Sequence, residues 1–267
     1  MTLSEFDISG KVILITGCNG LLGRSLVEEC LKNNAKVAGL DLEASHNMAF
    51  DKNENFIYVK CNIKNELEIR KALSKIKNQF KRFDVLINNA ATKTENLKEF
   101  FRKFEDYSLD TWQEVMEVNL NSMFLMSKLV GKEFLNNKNG GSIIQISSIY
   151  GIVSPDFDIY KNSKYKKEIM SSPAVYSASK AGVIGLTKWL AGYWGKKKIK
   201  VNCIVPGGIE DSSNQDSTFT KNYNKKVPLG RLARAEEIIP AILFLSSDAS
   251  SYITGQSLVI DGGYSIR

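Results

Sequence analysis

Short runs of β-branched and aliphatic residues alternate along the chain with longer stretches whose apolar positions recur at helical spacing. That alternation predicts βαβ units and a parallel sheet. Residues 11–15 (Lys-Val-Ile-Leu-Ile) predict the first strand, and a helix over about 24–33 follows it. Residues 36–41 and 56–61 predict strands two and three. Leu67, Ile69, Leu73, Ile76 and Phe80 keep approximately helical spacing across 65–80, and residues 84–88 predict a fourth strand. Asp110 is the expected N-cap of a long helix that runs through Asn119 towards Leu135, with Gly140-Gly141 as punctuation before a strand over 142–147. A helix over 175–195, a strand over 200–205, a helix over 236–246 and a strand over 257–260 complete the pattern. The expectation is one α/β domain over 1–267: a doubly wound, seven-stranded parallel sheet with helices on both faces. Residues 154–173 and 209–227 break the alternation and predict an irregular insertion and a substrate lid, since long irregular loops in a compact fold are more often functional than accidental.

At 267 residues, 43% of them hydrophobic and 24% charged, the chain has the balance of a soluble globular protein with a sizeable core. The opening MTLSEFDISGKV carries no basic stretch followed by an apolar run, and no segment holds 18 uninterrupted apolar residues, so neither secretion nor membrane insertion is expected. Cys18, Cys30, Cys61 and Cys203 lack CxxC spacing and read as reduced core thiols of a cytoplasmic protein. His46 is the only histidine. That removes Ser-His-Asp and Cys-His catalysis, disfavours a zinc site, and leaves no metal expected. The net charge of +7 includes clusters at Lys164-Lys166-Lys167 and Lys196-Lys197-Lys198, which fall at a loop and a helix end and read as solvated charge rather than a nucleic-acid face. A weaker reading is attraction of an anionic small substrate.

Strand one runs directly into Thr16-Gly-Cys-Asn-Gly-Leu-Leu-Gly23 and then into a helix. Glycines permit a tight turn and close approach of a pyrophosphate, and the helix N-terminus offers unpaired N–H donors, so Gly17, Gly20 and Gly23 predict a Rossmann-type dinucleotide site. Asp41 ends strand two, about 20 residues farther on, where a carboxylate can accept hydrogen bonds from ribose hydroxyls and repel a 2′-phosphate. NAD is therefore expected over NADP, with Arg24 and Lys11 pulling the other way.

Thr16-Gly17, Asn88-Asn89-Ala90, Asn119, Ser148 and Tyr176-Ser-Ala-Ser-Lys180 together resemble the short-chain dehydrogenase/reductase family over almost the whole chain. Val201 to Gly207, Pro228-Leu-Gly-Arg231 and Asp261-Gly-Gly263 follow in the family's order. The resemblance implies Asn119, Ser148, Tyr176 and Lys180 as catalytic residues. It implies cofactor contacts from Gly17, Asn19, Gly20, Leu21, Leu22, Gly23, Asp41, Asn62, Ile63, Asn89, Ala90, Tyr176, Lys180, Pro206, Gly207 and Ile209. Lys180 would hold the nicotinamide ribose, Ser148 the substrate oxygen, and Asn119 a water in a proton relay.

Tyr176 and Lys180, four residues apart on a helix, project from one face. Lowering a tyrosine from pKa ~10 by three units takes about 4 kcal/mol. A lysine cation at ~4 Å in an effective dielectric of ~20 supplies about that. Tyr160 and Lys164 repeat the Y-x-x-x-K spacing nearer Ser148, but Tyr176 opens an apolar-periodic helix and Tyr160 has no such frame. Three positions depart from the pattern: Leu21 stands where compact members usually have glycine, Asn62 where aspartate is usual, and Asp211 where a threonine is common. The spacing at Leu21 is more like the extended, sugar-nucleotide-handling branch, and residues 150–158 look like members from bacterial surface-sugar and flagellin-glycan pathways. The expected function is NAD(H)-dependent interconversion of a secondary alcohol and a ketone on a sugar-related small molecule. Alternatives are a 3-oxoacyl thioester reductase and a cofactor-binding regulator without catalysis. The family implies a homodimer or homotetramer.

Overall fold

The structure, a computed structural model, describes residues 4–43 and 53–266. His46 lies outside them. The elements are β1 (Val12–Thr16), α1 (Leu21–Lys32), β2 (Lys36–Asp41), β3 (Phe56–Lys60), α2 (Glu66–Phe80), β4 (Val85–Asn88), α3 (Leu97–Phe100), α4 (Leu109–Met116), α5 (Ser122–Phe134), β5 (Gly141–Ile146), β6 (Lys164–Tyr165), β7 (Glu168–Ile169), α6 (Ala174–Trp194), β8 (Ile199–Pro206), α7 (Ser217–Asn224), α8 (Ile239–Ser246) and β9 (Ser257–Ile260). Seven strands form a parallel sheet in the order β3-β2-β1-β4-β5-β8-β9, and β6 and β7 form a separate antiparallel hairpin.

β1 explains why the sheet is covered twice. All five of its residues are buried. Val12 and Leu14 point into a core with Ile69, Leu73 and Ile76 of α2, Val130 and Phe134 of α5, and Leu190 of α6. Ile13 and Ile15, one residue out of phase, point into a second core with Leu26 and Val27 of α1 and Ile239 and Ile242 of α8. The two-residue period of a strand divides its side chains between the layers. Each fully buried aliphatic contributes roughly 1.5–3 kcal/mol, so neither face tolerates exposure. Chain order reverses direction across the sheet between β1 and β4, opening a crevice at their carboxyl ends.

Local chemistry departs from expectation in three places. The cap of the long helix is Ser108, whose hydroxyl accepts the Thr111 N–H at 3.1 Å, while Asp110 lies within the first turn. The helix also passes through a π-turn, Glu117–Asn121, between α4 and α5. Finally, the stretches read as irregular are ordered: 154–173 carries the β6–β7 hairpin, and 209–227 carries α7, capped by Asp216 accepting the Phe219 N–H at 2.8 Å. A bridge from Tyr165 to Gln215 joins them, and the Lys164 N–H donates to Asp216 at 2.7 Å. All four cysteines are buried and free. Among the described residues no helix is long and apolar enough to cross a membrane.

Candidate active site

The glycine turn is built by contacts that exclude side chains. Gly17 has φ +67°, and a Cβ there would come within 2.8 Å of the Ala90 Cα. A Cβ on Gly23 would strike the Gly17 carbonyl oxygen. Thr16 Oγ1 accepts the Asn89 and Ala90 N–H groups, each at 3.1 Å, and the Asn89 amide donates back to the Thr16 and Gly17 carbonyls at 3.0 and 3.1 Å. The end of β4 is thereby locked to the turn. Gly20 caps α1 without a side-chain hydrogen bond, which leaves the first N–H groups of the helix facing the crevice. That arrangement fits a pyrophosphate, as do the close glycine contacts. Asp41 accepts the Asn19 N–H at 2.9 Å and the Leu42 N–H at 2.8 Å. Asn62 accepts the Lys64 N–H and donates its own N–H to Glu68, and Ile63 packs against the α2 core.

Tyr176 and Lys180 lie one turn apart near the start of α6. Gly151 lets the segment after β5 rest on the backbone of that turn: a Cβ there would be 2.8 Å from the Lys180 carbonyl. Ser147 fixes the same turn by donating to the Lys180 carbonyl oxygen at 2.7 Å. Ser148 follows, hydrogen bonded to Tyr176. Lys180 Nζ donates to the Ile146 carbonyl oxygen at 2.9 Å and stands 5.8 Å from the Tyr176 ring centroid. Asn119 sits in the π-turn, whose Leu120 approaches α6 where Gly182 leaves room. Its Oδ1 accepts the Thr92 N–H at 2.8 Å, while its Nδ2 is buried without a partner.

Electrostatics at the pair run against the lowering of Tyr176 expected from a lysine cation at ~4 Å. Burial raises the Tyr176 pKa, opposed by the Ser148 hydrogen bond. Burial also lowers Lys180 to about 8, with only Cys203 opposing it. Desolvation therefore outweighs the Ser148 hydrogen bond and favours Tyr176 as a neutral phenol.

A cavity of about 960 Å³ joins these parts. Of the residues expected from sequence, Asn19, Gly20, Leu21, Leu22, Asn89, Ser148, Tyr176, Lys180, Pro206, Gly207 and Ile209 line it. Gly17, Gly23 and Ala90 shape the turn beneath it, and Asn119 stands behind Thr92. Asp41, Asn62 and Ile63 are not on its wall. Tyr160 lines the cavity and is framed, contrary to the reading of its loop: its hydroxyl donates to the Tyr150 hydroxyl at 2.8 Å and its ring stacks on Phe219. Lys164 is exposed and off the wall, so the competing Tyr-Lys pair does not assemble. Sequence reasoning missed Lys93, Phe100, Phe101, Tyr165 and Tyr223. It also took Lys166 for solvated charge, although it borders the cavity. Only Lys93 had a readable signal, four residues beyond Asn89.

Residues 11–222 match the family model described as short chain dehydrogenase. The chain belongs to the short-chain dehydrogenase family. Its similarity to D-threitol dehydrogenase of Mycolicibacterium smegmatis is 30% identity over 98% of this chain and 96% of the relative. A 3-oxoacyl-[acyl-carrier-protein] reductase of Salmonella typhimurium is 32% identical over 96% of this chain and 98% of its own. A short-chain dehydrogenase of Leptospira borgpetersenii, solved with bound NAD+, superimposes with a TM-score of 0.85 at 38% identity, covering 99% of this chain and 97% of the other. This short-chain dehydrogenase is thus an oxidoreductase acting on CH–OH groups with a nicotinamide cofactor.

Proposed function

We propose that the protein interconverts a secondary alcohol and a ketone on a sugar-derived small molecule, with Tyr176 as general acid-base and NAD(H) as the preferred cofactor. The observation that carries this reading is the half-buried Tyr176 and the buried Lys180 on one turn of α6, with Ser148 hydrogen bonded to the phenol at the cavity wall. A dinucleotide whose pyrophosphate lay at the glycine turn would supply or accept the hydride at its nicotinamide. In reduction, the neutral Tyr176 passes its proton to the carbonyl oxygen as the new C–H bond forms, and Ser148 holds that oxygen by a hydrogen bond. Lys180 would hold the nicotinamide ribose. Asn119 supports a relay that returns a proton to Tyr176, because its buried Nδ2 is a donor that requires an acceptor such as water.

Asp41 favours NAD: its carboxylate ends β2 beside the turn and would repel a 2′-phosphate. The sugar reading draws on the similarity to D-threitol dehydrogenase, and the spacing at Leu21 agrees with it. The similarity to the acyl-carrier-protein reductase supports the rival, a thioester reductase.

The test is titration with NADH and NADPH by energy transfer from the tryptophans, beside Asp41→Ala, followed by turnover on polyols, ketoses and 3-oxoacyl thioesters. The expected result is a preference for NADH of about tenfold, or about 1.4 kcal/mol, that shrinks in the variant. Preference for NADPH with thioester turnover selects the rival, and NADH binding without any turnover selects the regulator. Failure to bind either cofactor overturns the reading.

A further inference from the structure

One wall of the cavity carries two lysines, Lys93 and Lys166, against a single acid, Asp211, and no ion pair joins them. Lys93 follows the Asn89 segment at the end of β4, and its Nζ lies 3.6 Å from the centroid of the Tyr165 ring. Among the described residues no carboxylate pairs with it. Asp211 lines the same cavity and its charge acts on Lys93 without an ion pair, its oxygens being turned to neutral donors. Its oxygens accept the Tyr165 hydroxyl at 3.2 Å, the Ser213 hydroxyl at 2.9 Å and the Asn214 amide at 2.8 Å to each oxygen. Lys166 adds a second positive charge that acts on Lys93 and borders the same cavity. Lys166 is exposed and also faces a shallow surface depression with Glu95 and Glu168, so Lys93 is the more deeply set of the two.

The hairpin tip gives independent support. Lys166 and Lys167 form its two-residue turn with φ of +48° and +73°. Asn-Gly is the sequence such a turn prefers, and lysine accepts the left-handed region only at a cost in backbone strain. The tip is nonetheless held in place. The Lys166 N–H donates to the Asn214 carbonyl oxygen at 2.9 Å, and Tyr165 pairs with Gln215. A strained turn fixed by the adjacent 214–215 segment so as to present a lysine at the cavity rim is a feature expected of a binding wall.

We propose that Lys93, with Lys166 beside it, forms an anion subsite that grips a carboxylate or phosphate carried by the substrate. The inference rests on the reading of this cavity as the substrate site and narrows it from sugar derivatives in general to anionic ones. Tyr165 is the platform: its ring supports the ammonium, and its hydroxyl, donated to Asp211, ties the platform to the lid. Burial lowers the Lys93 pKa to about 8, so the lysine remains mostly protonated at neutral pH, and an incoming anion offsets the hydration that burial removed.

Matched probes separate the charge from the sugar. D-gluconate against D-glucitol isolates a carboxylate, and D-fructose 6-phosphate against D-fructose isolates a phosphate. Each is titrated by calorimetry into the NADH-loaded protein. The expected result is that at least one anion binds about tenfold or more tightly than its neutral counterpart. Lys93→Met should abolish that preference and leave the neutral ligand's affinity unchanged. Lys93→Arg should retain it, and Lys166→Met should weaken it in part. The identity of the favoured anion distinguishes carboxylate from phosphate. Equal binding within both pairs, or a preference that survives Lys93→Met, overturns the subsite. NADH affinity is read in the same samples, so loss of cofactor binding reports failure of the oxidoreductase reading, whereas intact NADH binding without anion preference removes the subsite alone.

Discussion

At Tyr176 and Lys180, burial acts on the two partners in opposite senses, disfavouring phenolate in one and ammonium in the other. Both are drawn towards neutrality until a ligand brings polar groups into the cavity. Two outcomes follow at this scale. Tyr176→Phe keeps the ring and removes the proton, so kcat should fall by about 10²–10⁴-fold while NADH affinity, read by fluorescence, falls far less. The pH profile of reduction should decline as pH rises through about 8, where Lys180 loses its proton. A flat profile through that region would separate Lys180 from the reaction. Motif spacing located both side chains, because a single helical turn sets their relation. It could not supply their protonation, because desolvation depends on the strands and loops packed over them.

Elements place these residues through backbone contacts that only glycine permits. Gly151 brings the Ser148 segment against α6, and a Cβ there would lie 2.8 Å from the Lys180 carbonyl carbon and oxygen. Gly151→Ala should force the two apart, lowering kcat by about 10²-fold while NADH binding persists. Parallel steady-state kinetics and cofactor titration check this. The order and type of the main elements were legible in the alternating pattern, because each strand's buried residues are contiguous in sequence. The cap at Ser108 was misjudged by two residues, since serine and aspartate are comparable caps and only the start of the packed helix chooses between them. The π-turn at Asn119 leaves no periodic mark. The β6–β7 hairpin has strands of two residues, too short for alternation to register.

Over the whole molecule, buried titratable groups set the alkaline limit. Burial pushes Cys18 and Cys30 up to about 12 and Cys61 and Cys203 up to about 11, from an ordinary 9.0. Above pH 9 the unfolded thiols ionise while the folded ones do not, so the stability present below 9 is lost as pH rises towards 11–12. Lys93, Lys180 and Lys200, each lowered to about 8 by burial, act the other way: the folded protein sheds these protons first, adding stability between about 8 and 10.5. Beyond that window the half-buried Tyr58 and the buried Tyr165, raised to about 12 with desolvation as the largest cause, join the thiols. The melting temperature under reducing conditions should hold near pH 8–9 and fall steeply above about 10. Cys30→Ala should shallow that fall, and calorimetry over the range reads both.

By itself the sequence determined the βαβ order, the glycine turn, Asp41 at the end of β2 and the Tyr176-Lys180 turn, because each depends on neighbours a few residues away. The tertiary structure alone decided that Tyr160 frames the cavity, that Lys164 does not, and that Lys93 and Lys166 share a wall. Lys93 and Lys166 meet only because the insertion pairs with the lid through Tyr165 and Gln215. Charge and burial at such a wall come from segments remote in the chain, and no local period encodes their meeting.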